Sequence, residues 1–177
     1  MKTLVEQMSV YAAYHRDPTN KAIHFLFVPL IIWSAMGLLL LVPGVRLGAL
    51  ELTLAHAIAL VLLTYYMRLD FQLCVAMVFL FTFLLVTALR VEAALGDQAW
   101  MLFAAIFAGS WMAQIVGHSA FEHRKSALAD NLFQVFVAPI FVMAEWAFAL
   151  GLRRQLMQQV EVGLVAHLPK GPLRPEA

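Results

Sequence analysis

The stretch from Ala22 to Val42, AIHFLFVPLIIWSAMGLLLLV, contains no charged residue. About twenty apolar residues in a helix cross the roughly 30 Å of a bilayer's hydrocarbon core, so this run reads as a membrane span. The whole chain agrees. Of its 177 residues 63% are hydrophobic and 13% charged, with mean hydropathy +0.81, whereas ordinary soluble domains are about half apolar and about a quarter charged. The length suits one membrane-embedded domain over residues 1–159 and a mobile tail over 160–177, which ends in the Pro- and Gly-rich LPKGPLRPEA.

Three further windows qualify as spans. Phe71–Leu89 is uninterrupted, Leu50–Met67 holds Glu51 and His56, and Ala99–Gly117 holds Ser110 and Gln114. A fifth apolar stretch, Leu132–Leu150, contains Pro139 and Glu145 and reads as a span, a broken helix or a re-entrant hairpin. The expected fold is an all-α polytopic membrane bundle, with four spans and that fifth broken or re-entrant segment. Ahead of it Leu4, Met8, Tyr11 and His15 recur on one face of an amphipathic helix that suits a membrane surface. Asp17 then fits an N-cap and Pro18 the first helical position, which starts a new helix with His24 about two turns inside it.

Lys and Arg accumulate on the cytoplasmic side of short loops. With four alternating spans, Lys2, Arg16, Lys21, Arg68, Arg124 and Lys125 share the N-terminal side, against Arg46 and Arg90 opposite. The N-terminus is therefore expected in the cytoplasm. Arg153, Arg154, Lys170 and Arg174 join that majority when the fifth stretch does not cross, which favours a hairpin or interfacial segment. A net charge of +1 argues against nucleic acid as a partner. The lone Cys74 implies no disulfide, the polar first twenty-one positions suggest no cleavable signal peptide, and nothing specifies an oligomeric state.

Alternation of spans also brings YHRDPTNKAIH (Tyr14–His24) and GHSAFEHRK (Gly117–Lys125) to one membrane face. His15, His24, His118 and His123 then converge near the interface, as metal ligands must. Ionisable residues inside spans are functional candidates by default, which singles out His24 and His118; His15 reads equally as an interfacial aromatic. His123 points about 140° away from His118 on a helix, while Glu122 shares its face as a ligand, a partner of His118 or an interfacial acid. Gln114, one turn before His118, reads as a partner for its ring or as an interhelical hydrogen bond. His56 reads as a packed core histidine and His167 as a solvated one. Arg124 and Lys125 read as topology anchors or as holders of an amphipathic substrate's carboxylate.

These two blocks resemble the paired signatures of the membrane 2-hydroxy fatty acid dioxygenase family. The matching residues are Tyr14, His15, Asn20 and His24, then Gly117, His118, Phe121, Glu122, Arg124, Lys125 and Ala127. His123 stands where many members have lysine, and Ser126 where many have proline. The resemblance implies an iron(II) enzyme that uses dioxygen to shorten a 2-hydroxy fatty acid by one carbon. Metal ligands would be His24, His118 and His15, with His123 or Glu122 as substitutes, and Tyr14, Glu122, Arg124 and Lys125 would serve substrate or oxygen. Membrane lipid is the expected surrounding.

Other readings stay open on residues alone. Imidazoles suit zinc as well as iron. A membrane di-iron hydroxylase or desaturase is disfavoured, because the six histidines form no HxxxH or HxxHH pair. A b-type haem protein using His24 and His118 as axial ligands, and a membrane scaffold or small transporter, are the remaining alternatives.

Overall fold

The computed structural model describes residues 2–48, 50–122 and 133–167. Among them are α1 (Leu4–Tyr14), α2 (Pro18–Leu40), β1 (Val45–Leu47), β2 (Leu50–Leu52), α3 (Leu54–Leu69), α4 (Phe71–Leu95), α5 (Ala99–Phe121), α6 (Gln134–Ala149) and α7 (Arg154–Val165). A 3-10 turn, Gly96–Gln98, separates α4 from α5. The described residues form an all-α fold apart from the short antiparallel pair β1–β2.

Local chemistry sets where these helices begin. Thr3 and Glu6 form a capping box on α1, with the Thr3 N–H donating to Glu6 Oε2 at 2.7 Å and the Glu6 N–H to Thr3 Oγ1 at 3.2 Å. Asp17 caps α2 by accepting from the N–H groups of Thr19 (2.7 Å) and Asn20 (3.1 Å), and Pro18 occupies the first position, as the sequence predicts. Asp70 ends α3 and caps α4, accepting from the Leu73 N–H at 2.9 Å. At Gly96 a φ of +53°, which glycine adopts without strain, terminates α4.

Helices α2 and α5 run antiparallel in close packing. Gly37 meets the Phe103 ring near one end, and Gly117 meets Asn20 near the other. Near the middle of α4, Thr87 accepts from the indole N–H of Trp33 on α2 at 3.0 Å, while Tyr66 of α3 packs on Phe81 of α4. Two helices are long and apolar enough to cross a membrane by length and composition, Pro18–Leu40 and the run Phe71–Phe121, here divided at Gly96. Val61, Phe79, Phe83, Met112 and Ile115 lie exposed on α3, α4 and α5. So much outward apolar surface suits lipid better than water.

α6 lies across one end of this bundle. Its Phe136 carbonyl accepts from the Tyr66 hydroxyl at 2.8 Å, Phe141 packs on Tyr11, and Glu145 pairs with Lys21 at 3.5 Å. Arg153, just after α6, pairs with Asp70 and donates to Gln72 at 2.7 Å. All these partners belong to the end where α2 begins and α3 finishes. α7 then packs on α1, where the Ser9 hydroxyl donates to the Val160 carbonyl at 3.1 Å.

Three sequence expectations change. The window Leu50–Met67 does not start as helix: its first residues form β2, and α3 begins at Leu54. His56 is thus no mid-span core residue. It sits in the first turn of α3, where its Nδ1 accepts from the Thr53 N–H at 3.2 Å. No break occurs at Pro139, because it falls in the second turn of α6, where its missing N–H removes one early bond and the helix continues. α7 buries Leu156 and Val160 and includes the first positions of the segment 160–177. Residues 168–177 lie outside the described residues.

Candidate metal centre

His15, His24 and His118 come from three different elements and meet. His15 is the C-cap of α1, His24 lies in the second turn of α2, and His118 lies in the last turn of α5. They are 2%, 3% and 5% exposed. The ring centroids stand 4.3 Å (His15–His24), 4.7 Å (His15–His118) and 5.0 Å (His24–His118) apart, each pair edge-on. One ligand nitrogen from each ring lies within 4.8 Å of the other two.

Hydrogen bonds determine which nitrogens face inward. His15 Nδ1 lies 2.8 Å from the Tyr11 carbonyl, and His24 Nδ1 lies 2.9 Å from the Asn20 carbonyl. A carbonyl oxygen only accepts, so each Nδ1 carries the ring proton and each Nε2 presents a lone pair. Those two Nε2 atoms are 3.0 Å apart. Two lone pairs at that distance repel unless a proton or a cation lies between them. Burial, then the neighbouring His24, holds the His15 pKa well below its ordinary value, against the raising effect of its bond to the Tyr11 carbonyl. A metal cation held by both Nε2 atoms fits the geometry of the pair.

His118 supplies the third ring of the cluster. Imidazole–metal bonds of about 2.1 Å keep nitrogens that share an ion within about 4.2 Å, and the three ligand nitrogens here all lie within 4.8 Å of one another. His118 Nδ1 has no hydrogen-bond partner among the described residues.

Glu122, Asn20 and Gly117, from the same two sequence blocks, join the segments that carry these three rings. Glu122 Oε1 accepts from the backbone N–H groups of Arg16 (2.7 Å) and Asp17 (2.9 Å) and from Asn20 Nδ2 (3.1 Å). It therefore ties the His15–Asp17 turn and the start of α2 to the end of α5, and it stands outside the cluster of metal-ligand spacing. Asn20, fully buried, bonds His24 with its backbone and Glu122 with its side chain. Gly117 makes that approach possible, because a β-carbon there would lie 2.5 Å from Asn20 Oδ1.

Tyr11 lies against the cluster. It stacks on His15 with centroids 3.9 Å and planes 3° apart, and Phe141 from α6 covers it at 4.4 Å. Tyr14 is half-buried in the last turn of α1. Phe141 had no signal in the sequence, since an apolar residue in an apolar run carries no mark of its partner. Gln114 faces the same seam as His118, one turn deeper, and its Nε2 has no partner among the described residues. His123, Arg124 and Lys125 lie outside the described residues.

An all-α chain with apolar helices of membrane-crossing length and three buried histidines at metal-binding spacing is a candidate helical metalloprotein. The profile described as 2-hydroxy-palmitic acid dioxygenase Mpo1-like matches residues 1–150. The chain is 31% identical over 159 residues to the 2-hydroxy-palmitic acid dioxygenase MPO1 of Saccharomyces cerevisiae, covering 89% of this chain and 87% of that relative. It belongs to the Mpo1-like family of dioxygenases. No solved structure matches it.

Proposed function

We propose that this protein is an iron(II)-dependent membrane dioxygenase, converting a 2-hydroxy fatty acid and dioxygen to carbon dioxide, water and a fatty acid one carbon shorter. The observation that carries the reading is the buried His15–His24–His118 cluster in a chain of this family. Three neutral imidazoles suit several first-row metals, and zinc is redox-inert. Iron, when bound there, would supply the electron-transfer chemistry that dioxygen needs. The balance closes without a further reductant. Oxidising C2 from alcohol to acid level with loss of C1 as carbon dioxide releases four electrons, and one dioxygen accepts four.

The residues divide the remaining work. His15, His24 and His118 hold the metal, with the Tyr11 and Asn20 carbonyls fixing the first two rings. Glu122 and Asn20 keep the ligand-bearing segments together. Arg124 or Lys125 steadies the substrate carboxylate at the headgroup level, and the Tyr14 or Tyr11 hydroxyl offers a hydrogen bond to oxygen. The acyl chain lies along the apolar helices, where each buried methylene contributes about 0.8 kcal/mol. Helices α2 to α5 cross the bilayer, and α6 rests at the cytoplasmic end with the N-terminus and the site. The partners of α6, drawn from one end of the bundle, support that placement.

The test is direct. Purified iron-loaded protein given 2-hydroxypalmitate and oxygen, without added reductant, is expected to yield pentadecanoate. Hydroxylation of plain palmitate instead, dependent on an added reductant, would overturn the assignment in favour of a membrane hydroxylase.

A further inference from the structure

The buried stripe of α5 consists of Phe103, Ser110, Gln114, Gly117 and His118, with Ala99 at its start. Steps of seven, four and three put these residues on one helix face, and that face packs on α2 through Phe103 with Gly37 and Gly117 with Asn20. Three polar atoms of this seam lack a hydrogen-bond partner among the described residues. They are Gln114 Nε2 and His118 Nδ1 from α5, and Asn20 Oδ1 from α2. Their residues are 7%, 5% and 0% exposed. Buried donors and acceptors without partners are costly and rare, so a group of them within one turn of a candidate metal centre calls for a hydrogen-bonding partner that fits both.

The chemistry of the group is specific. Asn20 Nδ2 already donates to Glu122, so its Oδ1 is an acceptor in need of a donor. Gln114 contributes the opposite, an N–H donor in need of an acceptor. We propose that Gln114 and Asn20 form a subsite for the 2-hydroxyl of the substrate, since a hydroxyl accepts from an amide N–H and donates to an amide oxygen at once. This rests on the proposed function for the identity of the substrate. A carboxylate would satisfy Gln114 but repel Asn20 Oδ1. A fatty acid without the hydroxyl would leave both atoms unpaired, and a site built to bond a hydroxyl rejects the analogue lacking it more strongly than an apolar pocket could. Gln114 lies one turn before His118, and Asn20 holds His24 through its backbone carbonyl, so a hydroxyl held between the two amides would present its carbon towards the histidine cluster.

Gln114→Leu separates this role from a structural one. Binding of 2-hydroxypalmitate and of palmitate to the metal-loaded protein is measured anaerobically, so that no turnover occurs, with metal content and thermal midpoint determined in parallel. The wild type is expected to prefer the 2-hydroxy acid. The variant should lose roughly tenfold of that preference, the worth of one hydrogen bond, while keeping its metal and its thermal midpoint. Gln114→Met, unbranched and of similar length, repeats the measurement if leucine disturbs packing. Undiminished preference in the variants, as expected if only an ordered water fills the seam, overturns the subsite and leaves the proposed function intact. Loss of metal in the variants also overturns it, because Gln114 would then be orienting His118. A wild type that binds both acids equally overturns the substrate assignment itself.

Discussion

Asn20 and Gly117 touch across the α2–α5 seam so closely that a β-carbon on Gly117 would lie 2.5 Å from Asn20 Oδ1. The same β-carbon would come within 3.2 Å of Ile23. Asn20 has little room to yield, being fully buried and bonded to Glu122. Gly117→Ala is therefore expected to destabilise the protein by about 1–3 kcal/mol through overpacking, and to weaken metal binding by displacing the residue whose carbonyl holds His24. Thermal unfolding in detergent and metal titration read the two effects.

Removing any ring of the cluster should remove the metal. His15→Ala, His24→Ala and His118→Ala are each expected to lower affinity by more than about a hundredfold, beyond the range seen for supporting residues. His56→Ala should retain the metal and cost about 1 kcal/mol at the start of α3, where His56 accepts from Thr53. Metal analysis of the purified variants distinguishes the two groups.

Glu122 gathers three donors on one oxygen. Glu122→Ala leaves them unpaired and should cost about 1–3 kcal/mol, with metal affinity falling because the turn carrying His15 is released. Glu122→Gln keeps an acceptor in place and should retain the metal. If the glutamine variant were as metal-free as His24→Ala, Glu122 would be a ligand.

The Asp70–Arg153 pair gives stability a pH dependence. Burial raises the Asp70 pKa, but hydrogen bonds from Arg153 and the Leu73 N–H outweigh it and hold the carboxyl below its ordinary value. A depressed folded pKa means that the stabilisation is complete above the unfolded value, about 4, and is lost as pH falls through the lower folded value. Asp70→Asn should lower the thermal midpoint at pH 7 and flatten its decline below about pH 4. An unchanged acid profile would show that Asp70 contributes nothing to it.

Topology has its own test. Reporters in the β1–β2 hairpin and after Val165 are expected on opposite sides of the membrane, with the latter on the side of the N-terminus. Both reporters on one side would overturn the proposed placement of α6.

The apolar runs and helix starts were legible because their causes are local. Hydrophobic composition dictates helices wherever backbone groups lose water, and Asp17 with Pro18 begins a helix through groups only a few residues apart. Spacing also placed His24 and His118 at one end of the bundle. What only the tertiary structure decided depends on atoms far apart in sequence. Glu122 joins the His15–Asp17 turn to the end of α5 because the N–H groups of Arg16 and Asp17 reach its oxygen across more than a hundred residues. His56 became a cap because two short strands displaced the start of α3. Tyr11 stacks on His15 under Phe141 because α6 folds back over the site. Periodicity records which face of a helix avoids water, but the partner on that face is chosen by packing, and packing is a property of the assembled bundle.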